Sequence, residues 1–115
     1  MLQHSYEEIM ADDPRQGRSV EREVIFDSIV LLRAAEKAGV GSRECTEAVS
    51  FVSRLWGILI VDLGSPENTL PRELRAQLIS VGLFLIKTVE EIRAGRSSNF
   101  AAVIDVSQTI ADGLA

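Results

Sequence analysis

Between Ser42 and Gly64 the apolar residues Cys45, Val49, Val52, Leu55, Trp56, Leu59 and Leu63 recur three and four positions apart, a spacing that an α-helix gathers onto one continuous face. A strand would throw neighbouring members of this set onto opposite sides of a sheet, so the pattern excludes β-structure over its length. Ser42 supplies the side-chain oxygen that an opening helical turn needs, and Gly64 supplies the stop. The same signature returns on both sides. Over 19–38 the stripe is Val24, Ile25, Ile29, Leu32 and Ala35, with Gly39 after it. Over 71–94 it is Leu74, Leu78, Val81, Leu85, Val89 and Ile92, followed by Gly95. Over 98–112 it is Phe100, Val103, Ile104, Ser107 and Ile110, followed by Gly113. A shorter element opens the chain, where Ser5 and Glu8 form a capping-box pattern and Leu2, Tyr6, Ile9 and Met10 share a helical face.

The pattern predicts an all-α fold, a small bundle of four main helices plus a short N-terminal helix. Residues 1–18 are expected to hold the short helix and a linker, and residues 19–115 the bundle domain; Asp13, Pro14 and Gln16 leave open an earlier start for the first main helix. Connections at 39–41 and 95–97 are short, which predicts antiparallel packing of the helices that they join. Leu70 precedes Pro71 and is therefore disfavoured in helical angles, which puts the start of the 71–94 helix at the proline. Gly57 and Gly82 lie inside helices, where each costs about 1 kcal/mol relative to alanine, and a close approach of two helices is the simplest compensation for both. The stretch 79–86 is apolar nearly all round, the mark of a deeply buried helix or of one with a face reserved for a partner.

At 115 residues the chain has the length of one domain, and 46% hydrophobic residues is enough to build a core. The formal charge of −5 repels a phosphate backbone, and the ten arginines and two lysines form no run, so direct nucleic-acid binding is disfavoured. The first basic residue is Arg15, after four acids, which argues against an export signal, and the apolar run 55–61 is far too short to insert in a membrane. Cys45 is the only cysteine and sits on an inward stripe, so it reads as a small core hydrophobe in a reducing, cytoplasmic protein. His4 is the only histidine and stands near a terminus, a poor place for a metal site or a catalytic relay. Glu90 and Glu91 are adjacent and point about 100° apart, which spoils them as a facing acid and base. The glycines form no phosphate-binding pattern. The sequence therefore assigns no catalytic residue, no cofactor and no metal, and an enzyme is not expected.

Read together, Ser42-Arg43-Glu44, Glu47-Ala48, Phe51, Arg54-Leu55-Trp56, Leu59-Ile60, Asp62-Leu63, Pro66-Glu67-Asn68, Leu70-Pro71, Glu73-Leu74-Arg75-Ala76, Leu78-Ile79-Ser80 and Gly82-Leu83 resemble the FlaF family of alphaproteobacterial flagellar biosynthesis regulators. Ile92-Arg93, Gly95, Asn99-Phe100, Ile104-Asp105 and Asp112-Gly113-Leu114 extend the resemblance toward the C-terminus, and Ser5-Tyr6 with Glu8 extends it to the start. The chain departs from the family pattern at His4, where an aromatic is expected, at Val61, where an acid is expected, and at Phe84, where tryptophan is frequent. The resemblance implies a cytoplasmic, non-enzymatic protein that acts on flagellin, needed for its production and export, and opposed to or partnered with the flagellin-translation repressor FlbT. Flagellin's terminal segments are amphipathic helices, and an apolar groove on a small bundle is a suitable receptor for one. A regulator working through FlbT or flagellin messenger RNA is the alternative that the same resemblance carries.

For the partner-binding surface the sequence points to Ile60 and Leu83, each off the main stripe of its helix, and to Arg54 and Asp62 as charged ends of the apolar run. Trp56 joins them as a possible interface anchor, although its place between Leu55 and Leu59 favours the core.

Overall fold

The computed structural model describes residues 14–113, with side chains from residue 21 onward. Four helices make up the described fold: α1 (Pro14–Ala38), α2 (Arg43–Leu63), α3 (Arg72–Arg93) and α4 (Phe100–Gly113). No strand occurs among the described residues, so the all-α expectation holds there. The short helix expected around Ser5 lies outside them.

Each helix starts and stops where local chemistry allows. α1 begins at Pro14 rather than at residue 19. Proline is tolerated in a first turn, where its missing N–H has no partner to lose, and Arg15, Gln16 and Arg18 are good helix formers that carry the helix across Gly17. Gly39 ends α1 with a φ of +98°, a left-handed angle that side-chain-bearing residues rarely adopt. Ser42 then opens α2: its Oγ accepts from the Cys45 N–H at 3.0 Å while its hydroxyl donates to the Gly39 carbonyl at 2.7 Å, locking both helix ends around one four-residue turn. Gly64 closes α2 with its N–H on the Ile60 carbonyl at 3.0 Å.

α2 is the centre of the bundle, packed on α1 along one flank and on α3 along the other, while α4 packs chiefly on α1 and touches α3 less. The short connections make the neighbours antiparallel, as expected. The core is drawn from the expected stripes: Val24, Ile25, Ile29, Leu32 and Ala35 of α1, the whole Cys45 to Leu63 set of α2, and Phe100, Val103 and Ile104 of α4 are buried. Ser28 is buried with them, its hydroxyl spent on the Ile25 carbonyl at 2.6 Å. In α4 Ile110 is only half-buried, and Ala111 takes the inward place.

α3 departs furthest from expectation. Its buried residues are Gly82, Leu85, Val89 and Ile92, whereas Val81 and Leu78 are half-buried and Leu74 is 39% exposed. The reason lies in lengths: α3 has 22 residues and α4 only 14, so at about 1.5 Å per residue α4 falls about 12 Å short of covering it. The inward stripe of α3 continues beyond its cover.

Candidate partner-binding surface

α2 and α3 form a helical hairpin whose seam is set by Gly82. A Cβ there would stand 2.7 Å from Trp56 Cε3 and 3.1 Å from Ile60 Cδ1 and Cγ1, so only glycine lets α3 approach so closely. The structure separates the two helical glycines. Gly82 serves close approach as expected, but a Cβ on Gly57 would meet nothing within 4 Å, and this glycine instead leaves a dent on the outer side of α2.

The turn 64–71 holds the hairpin's end. The Asn68 side chain donates to both the carboxylate and the carbonyl of Asp62 at 3.2 Å, and its own oxygen accepts from the Leu70 N–H at 3.0 Å. Arg75 reaches back from α3, donating to the Leu70 carbonyl at 3.0 Å and the Leu63 carbonyl at 3.4 Å. At the other end, Ser53 of α2 donates to Glu90 of α3 at 3.1 Å, and Glu90 also pairs with Arg93. Glu91 pairs with Arg96 at 2.7 Å. The adjacent glutamates thus serve as partly exposed ion-pair members on α3, each with its own arginine.

The five residues singled out in the sequence part company here. Trp56 is 2% exposed, under Gly82, and belongs to the core. Its indole N–H is buried without a hydrogen-bond partner. Ile60 is half-buried against Gly82 and forms the floor of the seam rather than its surface. Asp62 is engaged with Asn68 and lies, at about 100° per residue, roughly 160° around α2 from Ile60, away from the seam. Leu83 and Arg54 are exposed.

Leu83 and Arg54 share the outer side of the hairpin. Leu83 is 56% exposed, on the side of α3 turned away from the core, and the half-buried Ile79 and Ile86 lie beside it. On α2 the matching outer positions are Arg54, the open Gly57 and Val61, which is 76% exposed. Val61 was not among the sequence candidates. Its signal was present as an apolar residue where the family pattern has an acid, but only the packing shows that it faces water next to Leu83's side of the seam. The face therefore combines exposed apolar side chains, a glycine dent between them, and a cation at its edge.

Among the described residues no group of three His, Cys, Asp or Glu side chains is placed to hold a metal, and no helix is long and apolar enough to cross a membrane. Cys45 is free and buried. The fold and this face define a small all-α bundle that turns apolar side chains outward along a helical hairpin. The chain belongs to the FlaF family: the family model of the flagellar protein FlaF matches residues 2–114. No curated protein and no solved structure matches the chain.

Proposed function

We propose that this flagellar protein binds flagellin in the cytoplasm through the outer face of the α2–α3 hairpin and so promotes flagellin production and secretion. It acts by binding, not by catalysis. The observation that carries this reading is the solvent-facing apolar set Val61 and Leu83 around the open Gly57, on a chain that belongs to a flagellar family. An amphipathic terminal helix of flagellin lays its apolar side along such a seam, with one of its side chains over the glycine dent. Covering that helix keeps it from premature association until export. Arg54 at the edge contributes to the rate and orientation of encounter more than to affinity.

The test is co-purification of flagellin with tagged full-length protein, in wild type and in the Leu83→Glu and Val61→Glu variants. Both sites are exposed, so both variants are expected to keep the wild-type circular dichroism spectrum. Each is expected to weaken flagellin binding by about 2 kcal/mol, roughly thirty-fold in Kd. Ile60→Glu is a poorer probe, because it forces a charge against Gly82 and Trp56 and is expected to cost folding. Full binding by both folded surface variants would move the interface off this face. Mass spectrometry and RNA sequencing of the same eluate distinguish flagellin from FlbT or flagellin messenger RNA as the molecule retained.

A further inference from the structure

The outer side of the α2–α3 hairpin is apolar over one stretch and cationic over the next. Gly57, Val61 and Leu83 make up the apolar stretch. At about 100° per residue, Arg54 stands within about 20° of Val61 and about 60° of Gly57 around α2, and Lys87 stands about 40° from Leu83 around α3. Two contacts set their levels along the hairpin. Gly82 lies against Trp56 and Ile60, and Glu90 accepts a hydrogen bond from Ser53. Because α2 and α3 are antiparallel, counting from the middle of the first contact or from the second puts Lys87 opposite residues 53–56 of α2, the turn that holds Arg54.

Both cations are exposed, and neither has a hydrogen-bond or ion-pair partner among the described residues. The acids along the same faces are already engaged: Glu47 pairs with Arg43, Glu90 with Arg93 and Glu91 with Arg96. Arg54 and Lys87 therefore keep their charge for something outside the bundle. Packed helices have axes about 8–10 Å apart, and the glycine contact holds this pair close. With a Cα radius of about 2.3 Å and both residues splayed outward, their Cα atoms stand about 10–12 Å apart, the diameter of a helix with its side chains. A helix laid along the seam passes between them, one cation on each flank.

We infer that the hairpin face selects an amphipathic helix with Asp or Glu on both flanks of its apolar stripe, about one turn from the side chain that enters the dent at Gly57. The inference rests on the reading of this face as the flagellin site, and it states which kind of flagellin helix the face accepts. The spacing comes from α2, where Arg54 precedes Gly57 by three residues, about 4.5 Å along the axis. The sign of the preference runs against the molecule as a whole. A chain of charge −5 repels an acidic peptide on average, so a preference for acids identifies the local cations as its source. Nucleic acid is a poorer occupant, because two cations release few counterions.

The test uses full-length protein and two fluorescent helical peptides that share one apolar stripe, the first flanked by Glu and the second by Lys. By anisotropy the Glu peptide is expected to bind about tenfold more tightly at about 0.05 M salt, and less than about twofold more tightly at about 1 M, where the Debye length is about 3 Å. Arg54→Ala combined with Lys87→Ala is expected to erase or reverse the preference with an unchanged circular dichroism spectrum, since both side chains are exposed and unpaired. Equal affinity for the two peptides, or a preference that survives in the double variant, overturns the inference. If Leu83→Glu still abolishes binding in that case, the hairpin reading stands without it. Peptide binding that is indifferent to Leu83→Glu overturns both. Displacement of the Glu peptide by poly(U) RNA would mean general anion binding and would overturn the helix selection as well.

Discussion

Glycine-to-alanine substitution at residues 57 and 82 should move stability in opposite directions, although both glycines sit mid-helix in the same hairpin. In either helix alanine gains about 0.5–1 kcal/mol over glycine through reduced backbone entropy in the unfolded chain and better helix propensity. At Gly57 nothing lies within 4 Å of the new methyl, so the gain stands alone. At Gly82 the methyl would sit 2.7 Å from Trp56 Cε3, where ordinary contact needs 3.4 Å or more, with Ile60 at 3.1 Å on another side. The indole is rigid and 2% exposed, so it has no solvent to retreat into, and overpacking of this kind costs about 2–3 kcal/mol. Subtracting the propensity gain leaves Gly82→Ala about 1–2 kcal/mol less stable. For 115 residues at about 2.1 cal/mol/K each, the unfolding entropy is about 0.24 kcal/mol/K, so 1 kcal/mol corresponds to about 4 °C. Thermal melts followed by circular dichroism should therefore place Gly57→Ala about 2–4 °C above wild type and Gly82→Ala about 4–8 °C below it. Trp56 fluorescence gives a second probe of the same transition. A Gly82→Ala variant that melts at or above Gly57→Ala would show that the α2–α3 seam is looser than the structure has it, and the close-approach account of Gly82 would be wrong.

Ser42→Ala removes the acceptor for the Cys45 N–H and the donor to Gly39, and should lower stability by about 1 kcal/mol, a Tm loss of about 4 °C on the same melt. Trp56→Ala should cost about 3–5 kcal/mol by opening a cavity, whereas Trp56→Phe should cost far less, because losing the unpartnered indole N–H returns about 1–3 kcal/mol of desolvation. Equal losses in urea denaturation would mean that the N–H is hydrogen-bonded in solution. The purified protein should not shift flagellin leader RNA on a gel at physiological salt, since its charge is −5; tight binding that weakens steeply with salt would refute the charge argument.

The four main helices were legible in the chain because periodicity and caps are local. Ser42, Gly39, Gly64 and Gly95 each act within a few residues of their own position, and a stripe such as Ile25, Ile29 and Leu32 identifies its inward side without reference to anything else. The candidate surface was legible only in part. Leu83 and Arg54 proved exposed, but Ile60 became the floor of a seam and Asp62 a fastening for the 64–71 turn. Neither outcome is visible in spacing, since each depends on a residue from beyond its own helix.

The helical character of the four described elements, the inward stripe of each and the apolar excess over 79–86 follow from residues three and four apart, which meet in any α-helix whatever surrounds it. Burial is a different property, because it depends on what another part of the chain lays over a residue. Leu74 and Leu85 carry the same side chain on the same stripe of α3, yet one is 39% exposed and the other wholly buried, because only the second joins the common core of the bundle. Gly57 and Gly82 have the same helical context, yet one opens to solvent and the other admits an indole, because α3 crosses α2 on only one side.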